Sequence, residues 1–182
     1  MRLTGFAHMA AVMGIGVLLA APAWAETAAE IDTGVQATRD ACAADVAGCE
    51  TAAEKAQGML VFPKVTKGAI GVGGSYGEGA LIVDDKTAGY YSTAAASIGL
   101  QLGAETYSQI IMFMTPEALE SFRNSSGWEV GANAKVTMID QGKAADINAI
   151  IAADPVVAFV FGQQGLMGDL SVEGAKITKL DR

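Results

Sequence analysis

The chain is nearly without histidine, since one of its 182 residues is a histidine, His8. That residue lies in a stretch, residues 1–25, that has the pattern of an export signal. The chain that remains after cleavage therefore has no imidazole side chain. This excludes Ser-His-Asp and Cys-His nucleophile systems, and it excludes zinc and haem sites with histidine ligands.

Aromatic and charged residues are also scarce. Aromatic residues make up 7% of the chain and charged residues 18%, whereas hydrophobic residues reach 51%, which argues against disorder. Lys and Arg number 12 against 20 Asp and Glu, and the net charge is −8. Nucleic acid is therefore excluded as a partner, because phosphate binding needs a basic face.

The N-terminus is predicted to be a cleaved signal peptide. Arg2 precedes an apolar stretch over residues 10–20, and an A-x-A motif at residues 23–25 comes just before Glu26. The apolar stretch is too short to span a bilayer comfortably as a permanent helix. We expect cleavage after Ala25 and a periplasmic or secreted protein of the cell envelope; the alternative is an uncleaved anchor.

Both cysteines of the chain lie in an alanine-rich segment, residues 26–57. Helical spacing predicts two short helices there, about 28–43 and 50–57. Cys42 and Cys49 would be about 10 Å apart along one continuous helix, beyond the reach of a disulfide. A pair would require a break between them, and the exported compartment favours a structural disulfide over two free thiols. Six intervening residues do not fit a redox C-x-x-C motif.

From residue 58 onward, strand-length apolar runs alternate with Gly and Asp turns. Residues 156–161 are apolar on both faces and predict a central strand, and strict alternation over 128–139 predicts a half-buried antiparallel strand with Trp128 in the core. Thr115 and Pro116 predict the start of a mid-chain helix, while residues 144–151 fit helix or loop.

The predicted fold class is α+β. We expect a curved or barrel-like sheet of about eight strands, antiparallel or mixed, with an N-terminal helical pair and a mid-chain helix. The predicted organisation is a signal peptide (1–25), an N-terminal helical segment (26–57) and a β-rich domain (58–182), with residues 26–182 forming one folded unit.

The glycines Gly73, Gly77 and Gly79 have a spacing found in dinucleotide-binding loops. That chemistry requires a helix directly after the glycines, whereas the apolar residues 80–83 predict a strand. The pair Asp84-Asp85 lacks the glycine and glutamate of a calcium loop. We therefore expect neither a cofactor nor a metal.

Several sequence blocks taken together resemble the SYLF domain family over residues 55–182. The blocks are KAQGMLVFPKVTKG (55–68), GVGGSYGEG (71–79), YYS (90–92), ASIGLQLG (96–103), MFMT (112–115), GWEVG (127–131) and AFVFGQQGLMG (158–168). Eukaryotic members of that family bind phosphoinositides, some yeast members bind actin, and bacterial members are exported. The resemblance implies binding of lipid or a membrane surface, without catalysis.

Four lysines are candidates for contact with an anionic head group: Lys64, Lys67, Lys176 and Lys179. Each lysine near a charged membrane is worth about 1 kcal/mol. The alternative is that these side chains are solvated strand faces or edge lysines that prevent aggregation.

A second candidate is the turn at residues 163–168, which carries Leu166 and Met167 between glycines. An exposed apolar tip of this kind can enter a bilayer interface. The alternative is that both side chains begin the next strand and point into the core.

The function predicted from the sequence is non-catalytic binding of lipid or a membrane surface by an exported domain. One alternative is a small outer-membrane β-barrel or a periplasmic structural protein. Another is an enzyme that acts through carboxylates or a Ser/Lys pair, for which the sequence offers no motif.

Overall fold

The computed structural model describes residues 25–140, 146–165 and 174–182. Side chains are described throughout these ranges except at strand residues 69–72, 97–102, 140 and 165. Its elements, in chain order, are α1 (Ala28–Asp45), α2 (Cys49–Ala53), β1 (Gly58–Val83), β2 (Lys86–Phe113), α3 (Pro116–Arg123), β3 (Trp128–Glu129), β4 (Thr137–Asp140), α4 (Ile147–Ala153), β5 (Val156–Gly165) and β6 (Lys176–Leu180). The predicted α+β class is confirmed.

A single long hairpin forms the centre of the sheet. Strands β1 and β2 have 26 and 28 residues and pair from Gly58↔Phe113 to Val83↔Lys86. They are joined at Asp84 and Asp85, whose φ angles are 50° and 57°. A two-residue hairpin turn of type I′ needs positive φ at both central positions, and aspartate tolerates positive φ better than most residues.

Strand β2 serves as two strands, because its two halves pair with different strands besides β1. Residues 90–94 of β2 pair with β6, whereas residues 105–113 pair with β5. Strand β3 then joins β6 antiparallel, and β4 joins β5 parallel. The result is a curled, mixed sheet, and counting each long strand as two gives the eight strands predicted from the sequence.

The glycines of the false dinucleotide motif lie in β1, where the two halves of that strand meet. A Cβ atom on Gly77 would come within 2.7 Å of the backbone oxygen of Lys64, and one on Gly79 would overlap the backbone oxygen of Val61. Only glycine permits such an approach. The prediction of a strand here, and not a helix, is confirmed.

Both faces of the sheet are buried, each in its own hydrophobic core. The α3-side core contains Leu60, Phe62, Val65, Leu81, Tyr91, Tyr107, Ile111, Phe113, Leu119, Phe122, Trp128, Val130, Val156, Ala158, Val160, Ala175 and Ile177. The α1-side core contains Ile31, Val35, Cys42, Val46, Cys49, Ala52, Met59, Val61, Ala80, Ile82, Ile110, Met112, Met114, Ile139, Val157, Phe159 and Phe161. Strand β5 contributes alternate residues to both cores, as predicted for a central strand.

Aromatic rings fill the α3-side core around Phe122. Its ring centroid lies 4.9 Å from Phe113, 5.0 Å from Tyr91 and 5.6 Å from Trp128. Trp128 is 2% exposed, so its predicted place in the core is confirmed. Helix α3 begins as predicted, with the Thr115 hydroxyl accepting a hydrogen bond from the Ala118 backbone nitrogen.

Helices α1 and α2 form the predicted helical pair. Helix α1 begins with a capping box between Thr27 and Glu30 and ends at Asp45. Helix α2 begins after Gly48, whose φ is 81°. Because of this break, Cys42 and Cys49 have Cα atoms 5.8 Å apart and form a disulfide. The predicted pairing across a helical corner is confirmed.

The predicted strand over 128–139 is wrong. Strand β3 ends at Glu129 and β4 begins at Thr137, and β4 pairs parallel to β5, not antiparallel. Between them Gly131 takes a φ of 88°, and the Asn133 side chain accepts a hydrogen bond from the Glu129 backbone nitrogen. This local turn competes with strand extension, since Asn and Gly favour turns.

A fourth helix is present where the sequence fitted helix or loop. Helix α4 begins after Asp146, whose carboxylate accepts hydrogen bonds from the backbone nitrogens of Asn148 and Ala149. The first part of the ambiguous segment, residues 144 and 145, lies outside the described residues.

Candidate functional site

The two lysines predicted on β1 have different surroundings. Lys64 is exposed at the bulge that separates the register at Phe62 from that at Val65. Lys67 is half-buried and lies directly opposite Glu105, which is 3% exposed. Cross-strand partners share a face, so Lys67 faces a buried carboxylate, and its charge is less available to an outside anion.

The two lysines predicted on β6 are both exposed. Lys176 lies opposite Glu129, an acidic residue, and Lys179 lies opposite Tyr91. Strand β2 separates β6 from β1, so the four lysines do not form one cationic cluster. Leu166 and Met167 lie outside the described residues.

Lys179 has a cationic neighbour that the sequence did not suggest. Arg123, in the last turn of α3, lines the same shallow cavity of about 420 Å³ as Lys179, together with Tyr91 and Glu120. Burial raises the pKa of Tyr91, and the Arg123 guanidinium opposes that rise. Two cations and one carboxylate give this cavity a local positive balance. The sequence could not predict this pair, because Arg123 and Lys179 are far apart in the chain and lie together only through the order of strands in the sheet.

A deeper cleft of about 520 Å³ lies between α1, α2 and the hairpin. Its floor is apolar and consists of Met59, Ile82, Ile110 and Met112, all of which belong to the α1-side core. Cys49 of the disulfide forms part of the wall. Its size falls within the range of about 300–1,000 Å³ usual for small-molecule sites.

The rim of this cleft is acidic. Its carboxylates are Asp40, Glu50, Glu54, Asp84 and Asp85. Arg39 is the cation among the lining residues, and its Nη2 atom lies 2.7 Å from Asp85 Oδ1. An apolar floor below a carboxylate rim suits an amphiphile whose polar end carries a positive charge, because an anionic end would be repelled.

Two negative findings concern the described residues alone. Among residues 25–140, 146–165 and 174–182, no group of three or more His, Cys, Asp or Glu side chains is placed to hold a metal ion. No helix within these ranges is both long and apolar enough to cross a membrane.

The comparisons with known proteins support the resemblance seen in the sequence. The family model described as Ysc84, Las17-binding protein actin regulator, matches residues 94–182, from the middle of β2 through β6. A search of curated proteins finds no match. The matched residues include the paired segments of β2 and β5 and two of the cavity residues, Arg123 and Lys179. They also include three of the four rings of the aromatic cluster, Phe113, Phe122 and Trp128. Residues 94–182 of this chain belong to the SYLF family, to which the Ysc84 model refers.

Proposed function

We propose that this protein is an exported, non-catalytic module that binds lipid or a membrane surface, and that the cleft beside the disulfide takes the apolar part of the lipid. One observation carries the proposal: a chain with a SYLF-family region has an open cleft with an apolar floor, of a size that suits a single ligand.

Charge limits the kind of membrane contact. The net charge of −8 opposes long-range attraction to an anionic bilayer, and local cations act only within a Debye length of about 8 Å at physiological salt. The acidic rim of the cleft favours a head group with an ammonium, as in zwitterionic phospholipids. We therefore expect binding to zwitterionic vesicles at least as strong as binding to anionic ones.

The predicted membrane contacts add to this picture. Lys64 would contribute about 1 kcal/mol near an anionic surface, and Lys67 would contribute less because it faces Glu105. Leu166 and Met167 would each contribute about 1.5–3 kcal/mol if fully inserted. The apolar tip should therefore carry more of the binding than the lysines, and salt should weaken binding only in part. Lys176 and Lys179, with Arg123 beside Lys179, form the second candidate contact.

Vesicle flotation tests the cleft. Ala43 lines the cleft and is exposed, so Ala43→Trp fills it without removing a core side chain. Ala44 is also exposed and does not line the cleft, so Ala44→Trp is the matched control. We expect Ala43→Trp to lose binding to phosphatidylethanolamine-containing vesicles while Ala44→Trp keeps it. Equal binding by both variants would remove the cleft from the proposal.

The same assay separates the other contacts. We expect Leu166→Ser/Met167→Ser to lose more binding than Lys64→Glu/Lys67→Glu, with an unchanged melting temperature. Unfolding of the tip variant would instead mean that both residues belong to the core. If the wild-type protein floats with neither zwitterionic nor anionic vesicles, the lipid proposal fails. Export is tested separately by the intact mass of the exported protein, since a mass retaining residues 1–25 would contradict cleavage.

A further inference from the structure

Glu78 is a buried carboxylate on which three parts of the chain converge. It lies in β1 with its side chain 7% exposed. Its Oε1 accepts a hydrogen bond from the Tyr76 hydroxyl at 2.7 Å. Its Oε2 lies 2.7 Å from Nη2 of Arg182 and accepts a hydrogen bond from the Glu26 backbone nitrogen at 3.2 Å. This one side chain therefore has partners at the start of α1, within β1 and at the last residue of the chain.

The Glu26 nitrogen is the atom that signal-peptide cleavage would change. Before cleavage it belongs to the peptide bond with Ala25 and donates as a neutral amide. Hydrolysis adds one water across that bond, so that Ala25 leaves with a carboxylate and Glu26 keeps a primary amine. At neutral pH this amine takes up a proton, because a free α-amine has a pKa of about 7.7–8.0.

We propose that Glu78 is the receptor for the α-ammonium group of Glu26 that cleavage after Ala25 creates, so that processing fastens the start of α1 to the hairpin. This inference rests on the export proposed above. The backbone nitrogen is already 3.2 Å from the carboxylate, so no rearrangement is needed. An ammonium–carboxylate ion pair then replaces a hydrogen bond in which only the acceptor is charged. Since Arg182 binds the same carboxylate, one residue joins the start of α1, the second half of β1 and the segment after β6.

The charged and titratable groups that face this site set its pH dependence. They are the Arg182 guanidinium, the Tyr76 hydroxyl and the carboxylate of Glu26 itself, and Ser92 lies opposite Glu78 as a neutral neighbour. Partial burial and the hydrogen bond to Glu78 raise the pKa of Tyr76 to about 12, so the phenol stays neutral between pH 6 and pH 10. The Glu26 carboxylate also raises that pKa, so it lies close enough to support an added cation.

The sign of the effect follows from the charged state of the amine. Pairing with Glu78 raises the pKa of the α-amine in the folded protein above its value in the unfolded chain. The added stability is therefore complete below about pH 7.7, the unfolded value, and is lost as pH rises through the higher folded value.

The experiment compares exported, processed proteins whose N-termini are verified by intact mass. One variant carries a glycine inserted between Ala25 and Glu26, so that cleavage after Ala25 leaves the ammonium one residue away from Glu78. Wild type should melt higher than this variant at pH 6.5 by about 2–4 °C, a typical shift for one charged contact in a chain of this length. The difference should vanish at pH 10.

Glu78→Gln provides the second arm. In that background the glycine insertion should have no effect on the melting temperature, because the receptor is gone. If Glu78→Gln does not fold, an NMR titration of the wild-type α-amine decides the matter, with a pKa above 8.0 expected and an ordinary one after the insertion. Equal melting temperatures for wild type and the insertion at pH 6.5 would overturn the proposal. An intact mass that retains residues 1–25 would overturn it together with the proposed cleavage, whereas vesicle binding would stand unaffected.

Discussion

The two cores of this protein are held together in different ways. The α3-side core is closed by stacked and edge-on rings around Phe122, with α3 itself supplying Leu119 and Phe122. The α1-side core is covered by α1, α2 and α4, whose buried residues include no aromatic ring, and these helices rely on separate links. These links include the disulfide, the Arg39–Asp85 ion pair and the hydrogen bond from Tyr90 to Asp32.

This difference indicates which part of the molecule stabilises the fold and which part leaves room for a ligand. Large rings that interlock leave little room for a ligand, and their loss is costly. Helices fastened at discrete points leave gaps between those points, and the cleft of about 520 Å³ is such a gap. We infer that the sheet with α3 provides most of the stability, whereas the α1 layer provides the site.

Truncation of Trp128 should give the largest effect. Its ring contacts those of Phe122 and Phe113, with centroids 5.6 Å and 6.1 Å away. Trp128→Ala should lower the free energy of unfolding by about 3–5 kcal/mol, as urea denaturation would measure. Ile31→Ala on α1 is the control from the other core and should cost about 2 kcal/mol. An equal or larger loss for Ile31→Ala would break the comparison.

Removal of the disulfide should come next. Cys42→Ala/Cys49→Ala opens a short loop, so the loss should be about 2–3 kcal/mol by loop entropy. The corner between α1 and α2 should open, and the cleft with it, so vesicle binding should fall more than for a β-sheet variant of equal stability. Thiol titration of the denatured, unreduced wild type should find no free thiol. Two reactive thiols would contradict the pairing.

The sequence was informative wherever one short segment decides its own structure. The double-sided apolar pattern of residues 156–161, the cap at Thr115 and the spacing of Cys42 and Cys49 each led to a correct prediction. In each of these, the deciding contacts are local or follow from burial on both faces. The alternation over 128–139 was misleading, because a turn at Gly131 uses the same polar residues that an exposed strand face would.

The candidate sites could not be read from the sequence for a different reason. Arg39 binds Asp85 across 46 positions of chain, and Arg123 lines the same cavity as Lys179 only because β6 returns beside β2. Such pairs depend on sheet order, which period-two patterns do not specify. The lysine pattern on β1 and β6 was visible, but the carboxylates of Glu105 and Glu129 opposite two of these lysines were not.

A matched pair of helix caps sharpens the comparison further. Thr115 caps α3 and Thr27 caps α1, each through its side-chain oxygen. Thr115→Ala should lower global stability by about 1 kcal/mol, because α3 belongs to the principal core. Thr27→Ala removes a similar bond, yet it should mainly raise amide hydrogen exchange within α1 and change the global midpoint less. Equal shifts of the urea midpoint would mean that α1 and the sheet unfold as one unit.

The smallest effect should come from Asp154, at the edge of the α1-side core where α4 ends. Its carboxylate accepts hydrogen bonds from the Thr137 hydroxyl at 2.7 Å and from Lys135 Nζ at 2.9 Å, and these bonds lower its pKa. A depressed pKa adds stability that is complete above the unfolded value of about 3.9 and is lost as pH falls through the folded value. Because the Lys135 side chain is 78% exposed, Asp154→Asn should cost only about 0.5–1 kcal/mol at pH 7. Urea denaturation at pH 7 and at acidic pH would measure it, with the difference from wild type expected to shrink as pH falls below about 3.9. Lys135→Met, which leaves the Thr137 bond intact, should cost less than Asp154→Asn, and the reverse order would assign the effect to the ion pair instead of the hydroxyl.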